Sequence, residues 1–285
     1  MKPIRKKAGT KKVAAKKPAA KARRGTALVT GASRGIGKAI ASALAAAGWE
    51  ITGTCRNPKR LAAEDRIPGV RYLPLDFSRK GSAEALMKKM KNVDVLVNNA
   101  GSGSIGPVEE APIEKVQALF EDNFFGAVRL TQAILPRMRA RGNGAVIFIG
   151  SMAGEAPRAF SSFYAASKSA LRSFADCLRM EIRAYGIRVA LVAPWFIATT
   201  FPQEPQVKKS SPYGAAVQRV KQVRDRLIME GPEPQVVAEA VMDLLGKRRP
   251  RGFTSVGRHA RLQAFMVRHL PRRTIEALSA RRFKL

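Results

Sequence analysis

Residues 25–48 read GTALVTGASRGIGKAIASALAAAG, and the order of residue types in this stretch decides the fold. Thr26-Ala27-Leu28-Val29-Thr30 is a short, buried type of strand. The run Gly31-Ala32-Ser33-Arg34-Gly35-Ile36-Gly37 follows at once, and Lys38–Ala47 then has helical composition before Gly48 ends it. A glycine-rich turn between strand and helix lets backbone N–H groups approach a pyrophosphate at the positive end of the helix. The spacing is T-G-x-x-x-G-x-G, one residue wider between the first glycines than the usual dinucleotide fingerprint. Gly31, Ser33, Arg34, Gly35, Ile36 and Gly37 are therefore candidate nucleotide contacts.

Working outward, a second strand over Trp49–Thr54 leads into Cys55-Arg56-Asn57. A fold binding NAD places an acid about 20 residues past the fingerprint to hold the ribose 2′-hydroxyl, and this chain has none there. Arg56 and Arg34 instead suit a 2′-phosphate through charge-assisted bonds, so NADP(H) is expected in preference to NAD(H). In a chain this basic, surface arginines also arise without such a role, and the missing acid is the stronger half of the argument. A third strand, Gly69–Leu75, ends at Asp76, read either as an acceptor for an adenine amino group or as the N-cap of the next segment. The amphipathic stretch Ser82–Lys91 precedes a fourth strand, Val93–Val97, which runs into Asn98-Asn99-Ala100-Gly101. That turn reads as cofactor-side, with Asn98, Ala100 and Gly101 as contacts. Ile113–Met138 is helical with Asn123 inside it, Gly144–Ile149 is a strand delivering Ser151, and Ile187–Val192 is a strand ending at Ala193-Pro194. Strand and helix alternate throughout. The pattern predicts an α/β fold: a doubly wound, Rossmann-like parallel sheet in a single domain, with ligands at the C-terminal ends of the strands.

The helix expected over Ser161–Tyr185 carries Tyr164 and Lys168, four residues apart and so on one face. Tyrosine ionises near pH ~10, and bringing it to about 7 requires roughly 4 kcal/mol. One positive charge at ~5 Å in an effective dielectric of ~20 supplies about 3 kcal/mol, so the lysine is expected to provide most of the shift.

With these residues in place the sequence resembles the short-chain dehydrogenase/reductase family over about residues 25–257. The resemblance rests on Thr30-Gly31-x-x-x-Gly35-x-Gly37, Asp76, Asn98-Asn99-Ala100-Gly101, Asn123, Ser151 and Tyr164-x-x-x-Lys168, in that order. It implies that Tyr164 is the acid/base, that Ser151 polarises a carbonyl, and that Lys168 binds the nicotinamide ribose and lowers the tyrosine pKa. It further implies that Asn123 holds a water in a proton relay to Lys168, and that the protein is a homodimer or homotetramer. One departure stands out: where the family has Pro-Gly after the sixth strand, this chain has Pro194-Trp195, expected to narrow the site or redirect the loop. Pro194 and Thr199, the latter matching the family's carboxamide-binding threonine, complete the cofactor set. Residues 200–232 occupy the position of the family's substrate loop. With Phe196 and Ile197 just before it, Phe201, Tyr213, Val217 and Met229 favour a lipophilic carbonyl or alcohol, and core packing accounts for the same residues equally well. Helix Pro234–Leu245 and strand Gly252–Val256 would complete the family fold. Residues 258–285 look like the extensions of retinol- and steroid-type members, with Leu262, Phe265, Met266 and Leu270 at helical spacing and arginines elsewhere on the wheel. A basic amphipathic helix of this kind lies on an anionic membrane, covers a substrate mouth, or simply packs on its own domain.

At 285 residues the chain is long enough for a full core, and its net charge of +31 is concentrated at the ends. Residues 1–24 hold eleven Lys and Arg and no acid, and residues 247–285 hold twelve against Glu276. The Lys/Ala/Pro-rich tail is expected to be disordered and to offer at most a weak contact to a polyanion or anionic membrane surface. Two cysteines, Cys55 and Cys177, are too few for a disulfide framework and indicate a reducing compartment. With no apolar run of membrane-spanning length and no secretory signal, the expected location is cytoplasmic or peripheral to a membrane. No residue set points to a metal. The reading is thus an NADP(H)-dependent oxidoreductase of a carbonyl/alcohol pair. The alternative is a nucleotide-fold binding or regulatory protein that uses its basic ends on nucleic acid or anionic membrane.

Overall fold

The computed structural model describes residues 24–156, 158–201 and 205–285. The expected tail, apart from Arg24, lies outside them. Seven strands form one parallel sheet in the order β3-β2-β1-β4-β5-β6-β7. In chain order they are β1 (Thr26–Val29), β2 (Glu50–Cys55), β3 (Arg71–Pro74), β4 (Val95–Asn98), β5 (Gly144–Ile149), β6 (Ile187–Pro194) and β7 (Phe253–Val256). Strand order reverses between β1 and β4, where Ala27 lies opposite Ile51 on one side and Val95 on the other. A crevice opens there because the connections leave in opposite directions.

Alternation along the strands sorts the sheet's side chains onto two faces. Leu28, Leu96, Val146 and Phe148 point to one face, against α2 (Ser82–Lys88), α4 (Gly126–Arg141) and α5 (Ser162–Glu181). Val29, Val95, Val97 and Ile147 point to the other, against α1 (Gly35–Ala46) and α7 (Gln235–Gly246). In α1, Ile40, Ala41 and Leu44 recur at helical spacing and are fully buried. The sheet is therefore covered on both sides, as the alternation of elements requires.

Several boundaries differ from the sequence expectation for physical reasons. Helix α1 begins at Gly35 rather than Lys38, so the last glycines of the turn form its first turn. The long helix expected over 113–138 is α3 (Ile113–Phe120) and α4 joined by a π-helical turn, Glu121–Phe125, that contains Asn123. Such wide turns often mark functional positions. Helix α5 ends at Glu181, and Arg183–Tyr185 is a separate 3₁₀ turn closed by Gly186 at φ +68°.

The substrate-loop segment contains a helix, α6 (Gly214–Met229), in which Val217 is core and Met229 is exposed. The C-terminal extension is two helices, α8 (Ala260–His269) and α9 (Arg272–Arg282). Pro271 divides them, since proline lacks an N–H and disfavours helix in the residue before it. The expected apolar face is not the packing face: Leu262, Phe265 and Leu270 are exposed, whereas Ala260, Ile275 and Phe283 are buried.

One close contact tests this packing. A Cβ at Gly126, in the first turn of α4, would overlap the ring of Phe77. Gly126→Ala is expected to destabilise the fold by about 1–3 kcal/mol, as overpacking does, measured as a lower denaturant midpoint with unchanged slope. An unaltered midpoint would show that the Phe77 ring moves aside freely.

Candidate active site

The C-terminal ends of β1, β4, β5 and β6 border one cavity of about 720 Å3. At its glycine end, Gly31 and Gly35 have φ of +66° and +53°, and a Cβ on Gly37 would overlap the carbonyl oxygen of Gly31. Helix α1 starts here with no side-chain cap and no acid in its first turn. Its N–H groups and dipole are thus left for an anion. Ser33, Arg34, Arg56 and Arg60 line the same end.

A hydrogen-bonded clamp joins this turn to the next strand. Asn99 N and Ala100 N both donate to Thr30 Oγ1 at 2.9 Å, while Asn99 Nδ2 donates to the carbonyls of Thr30 (2.9 Å) and Gly31 (3.3 Å). Asn99, not Asn98, is therefore the asparagine that shapes the cofactor end. Asn98 is the last residue of β4 and faces the opposite way, where its buried Nδ2 donates to Thr131 Oγ1 at 3.1 Å. The expectation of a cofactor contact from Asn98 is corrected accordingly. Asp76 lines the cavity, yet its Oδ1 accepts from Ser78 N and Oγ (3.2 and 2.7 Å) and its Oδ2 lies 3.5 Å from Arg79 Nε. Of its two readings, the turn-capping one has the contacts.

Ser151, Tyr164, Lys168, Pro194 and Thr199 line the same cavity, and Thr199 lies beside Gly35, where an added Cβ would stand 3.4 Å from its methyl. Ser151 follows β5 directly, and Tyr164 and Lys168 share the inner face of α5. The Ser151 hydroxyl is in hydrogen-bonding reach of the phenol and favours its ionised form. Lys168 Nζ lies 6.0 Å from the Tyr164 ring centre and donates to the carbonyl of Ile149 at 3.2 Å. Burial holds this ammonium down at about 8. The phenol is displaced opposite to the sequence expectation: burial raises it, and the cations that partly offset this are Arg158 and Arg224 rather than Lys168.

Asn123 sits beneath the cavity instead of lining it. Its Oδ1 accepts from Ser102 N at 2.9 Å, and its Nδ2 donates to Ser102 O (2.9 Å) and Ser167 Oγ (3.1 Å). With both side-chain groups engaged, a water held by this residue would have to use its backbone. Gly101 permits the arrangement, because a Cβ there would stand 2.5 Å from Asn123 Oδ1.

Trp195, at the position of the family's glycine, lines the cavity and stacks edge-on against Phe196 at 4.5 Å. Phe196 takes up the loop's strain, with φ of +42°. Phe196, Ile197 and Phe201 line the cavity, whereas Tyr213 packs on Phe160 at 6.1 Å. The residues that sequence reasoning missed here are Asn99, Arg60, Arg158 and Arg224. Asn99 lay within the quoted turn, and only strand direction separates it from Asn98. The arginines carried no local signal in so basic a chain.

Comparison with known proteins gives a consistent set. The family described as short chain dehydrogenase matches residues 25–210. Dehydrogenase/reductase SDR family member 7B of Bos taurus is 32% identical over 242 residues, covering 80% of this chain and 72% of the relative. The 3-ketodihydrosphingosine reductase of Bacteroides thetaiotaomicron is 31% identical, covering 81% and 87%. Human retinol dehydrogenase 8 is 32% identical, covering 79% of each. Among solved structures, a short-chain dehydrogenase from Streptomyces avermitilis superposes with a TM-score of 0.77 at 32% identity, covering 91% of this chain and 98% of that one. A serine dehydrogenase complexed with NADP+ superposes at 0.69 with 26% identity, covering 82% and 94%.

The depressed Lys168 value has a consequence for stability. Between the folded value of about 8 and the ordinary 10.5, the unfolded chain binds the proton that the folded chain releases, so stability rises with pH across that window. Below pH 8 the folded state carries the full burial cost. Lys168→Met is expected to stabilise the protein at pH 7 by about 1 kcal/mol or more, a rise in Tm of roughly 2–4 °C per kcal/mol. The advantage should shrink between pH 8 and 10 in calorimetric scans, and a constant difference would refute the assigned cause.

Proposed function

The chain belongs to the short-chain dehydrogenase family, and from that premise we propose that it is an NADP(H)-dependent reductase of a lipophilic carbonyl compound. Membership makes it an NAD(P)-dependent oxidoreductase acting on CH–OH/C=O groups. The observation that carries the reading is the pairing of Ser151 with Tyr164 at one end of a cavity whose other end is an uncapped helix N-terminus. The glycine cradle, with no room for a Cβ at Gly37, fits a pyrophosphate. Arg34, Arg56 and Arg60, with no acid at the end of β2, support a 2′-phosphate.

When bound, the nicotinamide supplies a hydride to the carbonyl carbon. Tyr164 then donates its phenolic proton to the carbonyl oxygen, which becomes the hydroxyl, and Ser151 hydrogen-bonds that oxygen as its negative charge grows. Lys168 is placed on the same helix face to hold the nicotinamide ribose. A phenol kept protonated by burial is a donor throughout the neutral range, which supports reduction as the working direction. The apolar lining of Trp195, Phe196, Ile197 and Phe201 supports a substrate with an apolar body.

The site retains all the groups that a purely binding protein of this fold has no need of, which weighs against the regulatory alternative. Self-association as a homodimer or homotetramer is part of the proposal, and the exposed Phe125 and Met180 supply apolar area for it. Exposed Leu262 and Phe265 beside the arginines of α8 support peripheral attachment at an anionic surface, and a cytoplasmic location is part of the proposal. Among the described residues no helix is long and apolar enough to cross a membrane.

Tyr164→Phe should abolish turnover and leave NADPH affinity nearly intact, because only the proton donor is removed. Near-normal absorbance traces from this variant, with ketones, aldehydes and lipid alcohols tried in turn, would end the mechanism. Arg56→Ala should reduce the preference for NADPH over NADH by about 10- to 100-fold, the effect of losing one charge-assisted phosphate contact. Equal affinity of the unaltered protein for the two cofactors would rule out the 2′-phosphate assignment.

A further inference from the structure

Arg158 lines the cavity from the segment between Ser151 and α5. Its Nε donates to Ser161 Oγ at 3.0 Å, and the guanidinium stands 5.8 Å from the ring of Phe196 and 6.0 Å from that of Phe283. Among the described residues no carboxylate pairs with it, and no acceptor holds its two terminal nitrogens. Burial and the nearby Arg224 hold its pKa down at about 10. Arg224 is differently placed, since Asp225 Oδ1 accepts from both its Nε (3.1 Å) and its Nη2 (2.7 Å). A half-buried cation without a counterion among the described residues is costly, and two aromatic faces offset only part of that cost. The planar fork of a guanidinium with free ends is the shape that receives a carboxylate or phosphate.

We propose that Arg158 is a specificity-determining residue that binds an oxyanion on the substrate, so that the substrate is a carbonyl compound bearing a carboxylate or a phosphate together with an apolar body. The oxyanion sits by the guanidinium that Phe196 and Phe283, the latter just past the end of α9, flank. In the same reading the cofactor's own phosphates belong to the glycine turn and Arg34. The inference rests on the reductase reading and narrows its substrate class.

Two measurements on the full chain keep it separable from that reading. In the first, three ketones of one carbon skeleton, carrying a carboxylate, a phosphate monoester or a neutral methyl ester, are reduced with NADPH. The anionic pair should exceed the ester in kcat/KM by about 10-fold or more, and Arg158→Gln should remove about 10- to 100-fold more from the anionic substrates than from the ester, with NADPH affinity unchanged. Arg158→Lys should restore the phosphate substrate better than the carboxylate, because a point charge suits the former and a fork the latter.

In the second, hexanoate and hexyl phosphate are titrated into the NADPH-loaded protein and read by quenching of tryptophan fluorescence. Saturable quenching that hexanol does not reproduce, and that Arg158→Gln loses, supports the oxyanion site even if no ketone is turned over, in which case the reductase reading alone falls. Turnover that favours the neutral ester, or an Arg158→Gln loss equal for all three ketones, would overturn the proposal and leave Arg158 as a bracket for Phe196 and Phe283. Absence of quenching by both anions would overturn it as well.

Discussion

The two halves of the site are held in register by one run of hydrogen bonds between elements far apart in the chain. Thr30, at the end of β1, accepts from Asn99 and Ala100 at the end of β4. Two residues on, Ser102 is held by Asn123 in the π-helical turn, Asn123 donates to Ser167, and Ser167 donates to the carbonyl of Tyr164 at 2.8 Å. The glycine turn and the helix that carries Tyr164 are thereby linked through polar groups that are largely withdrawn from water. Buried hydrogen bonds of this kind are individually modest, but leaving one partner unpaired costs more than the bond contributes. The π-helical turn belongs to the same constraint, since it places the Asn123 side chain where Ser102 and Ser167 meet it.

Positive charge inside the cavity is the second organising feature. Among the described residues buried Lys168 has one acceptor, the carbonyl of Ile149, and Arg158 has Ser161 and two aromatic faces. Neither arrangement compensates a full charge. Both groups are displaced downward by burial, and both adjoin Tyr164. A folded state that tolerates such costs holds groups poised for negatively charged or electron-rich partners, as proposed for the ribose oxygens at Lys168 and the substrate oxyanion at Arg158. The moderate stability given up here is the usual companion of an active site.

The C-terminal segment connects this chemistry to the periphery. Ile275 and Phe283 anchor α9, while Arg282 stands 5.9 Å from the ring of Trp195. The residue that replaces the family's glycine is thus covered by the segment that extends beyond the family's core, so the two departures form one structure around the substrate end. Leu262 and Phe265 of α8 are left facing outward.

By itself the sequence determined the parallel sheet, the glycine turn between β1 and α1, and the sharing of one helix face by Tyr164 and Lys168. These depend on local periodicities and on spacings within one element, where backbone geometry leaves little choice. What only the tertiary structure decided depends on which way a side chain points and on what lies opposite it. Asn98 and Asn99 are neighbours in sequence, and the pleat of β4 sends them to opposite sides. The cations nearest in effect to the phenol are Arg158 and Arg224, brought from a loop and from α6 by packing that no spacing records. The apolar stripe of residues 262–270 reads equally as a membrane, mouth-covering or packing face, and the fold leaves Leu262, Phe265 and Leu270 exposed while the core takes Ile275 and Phe283 beyond Pro271. Burial, which reverses the direction expected for Tyr164, is a property of the whole fold and has no local signature in the chain.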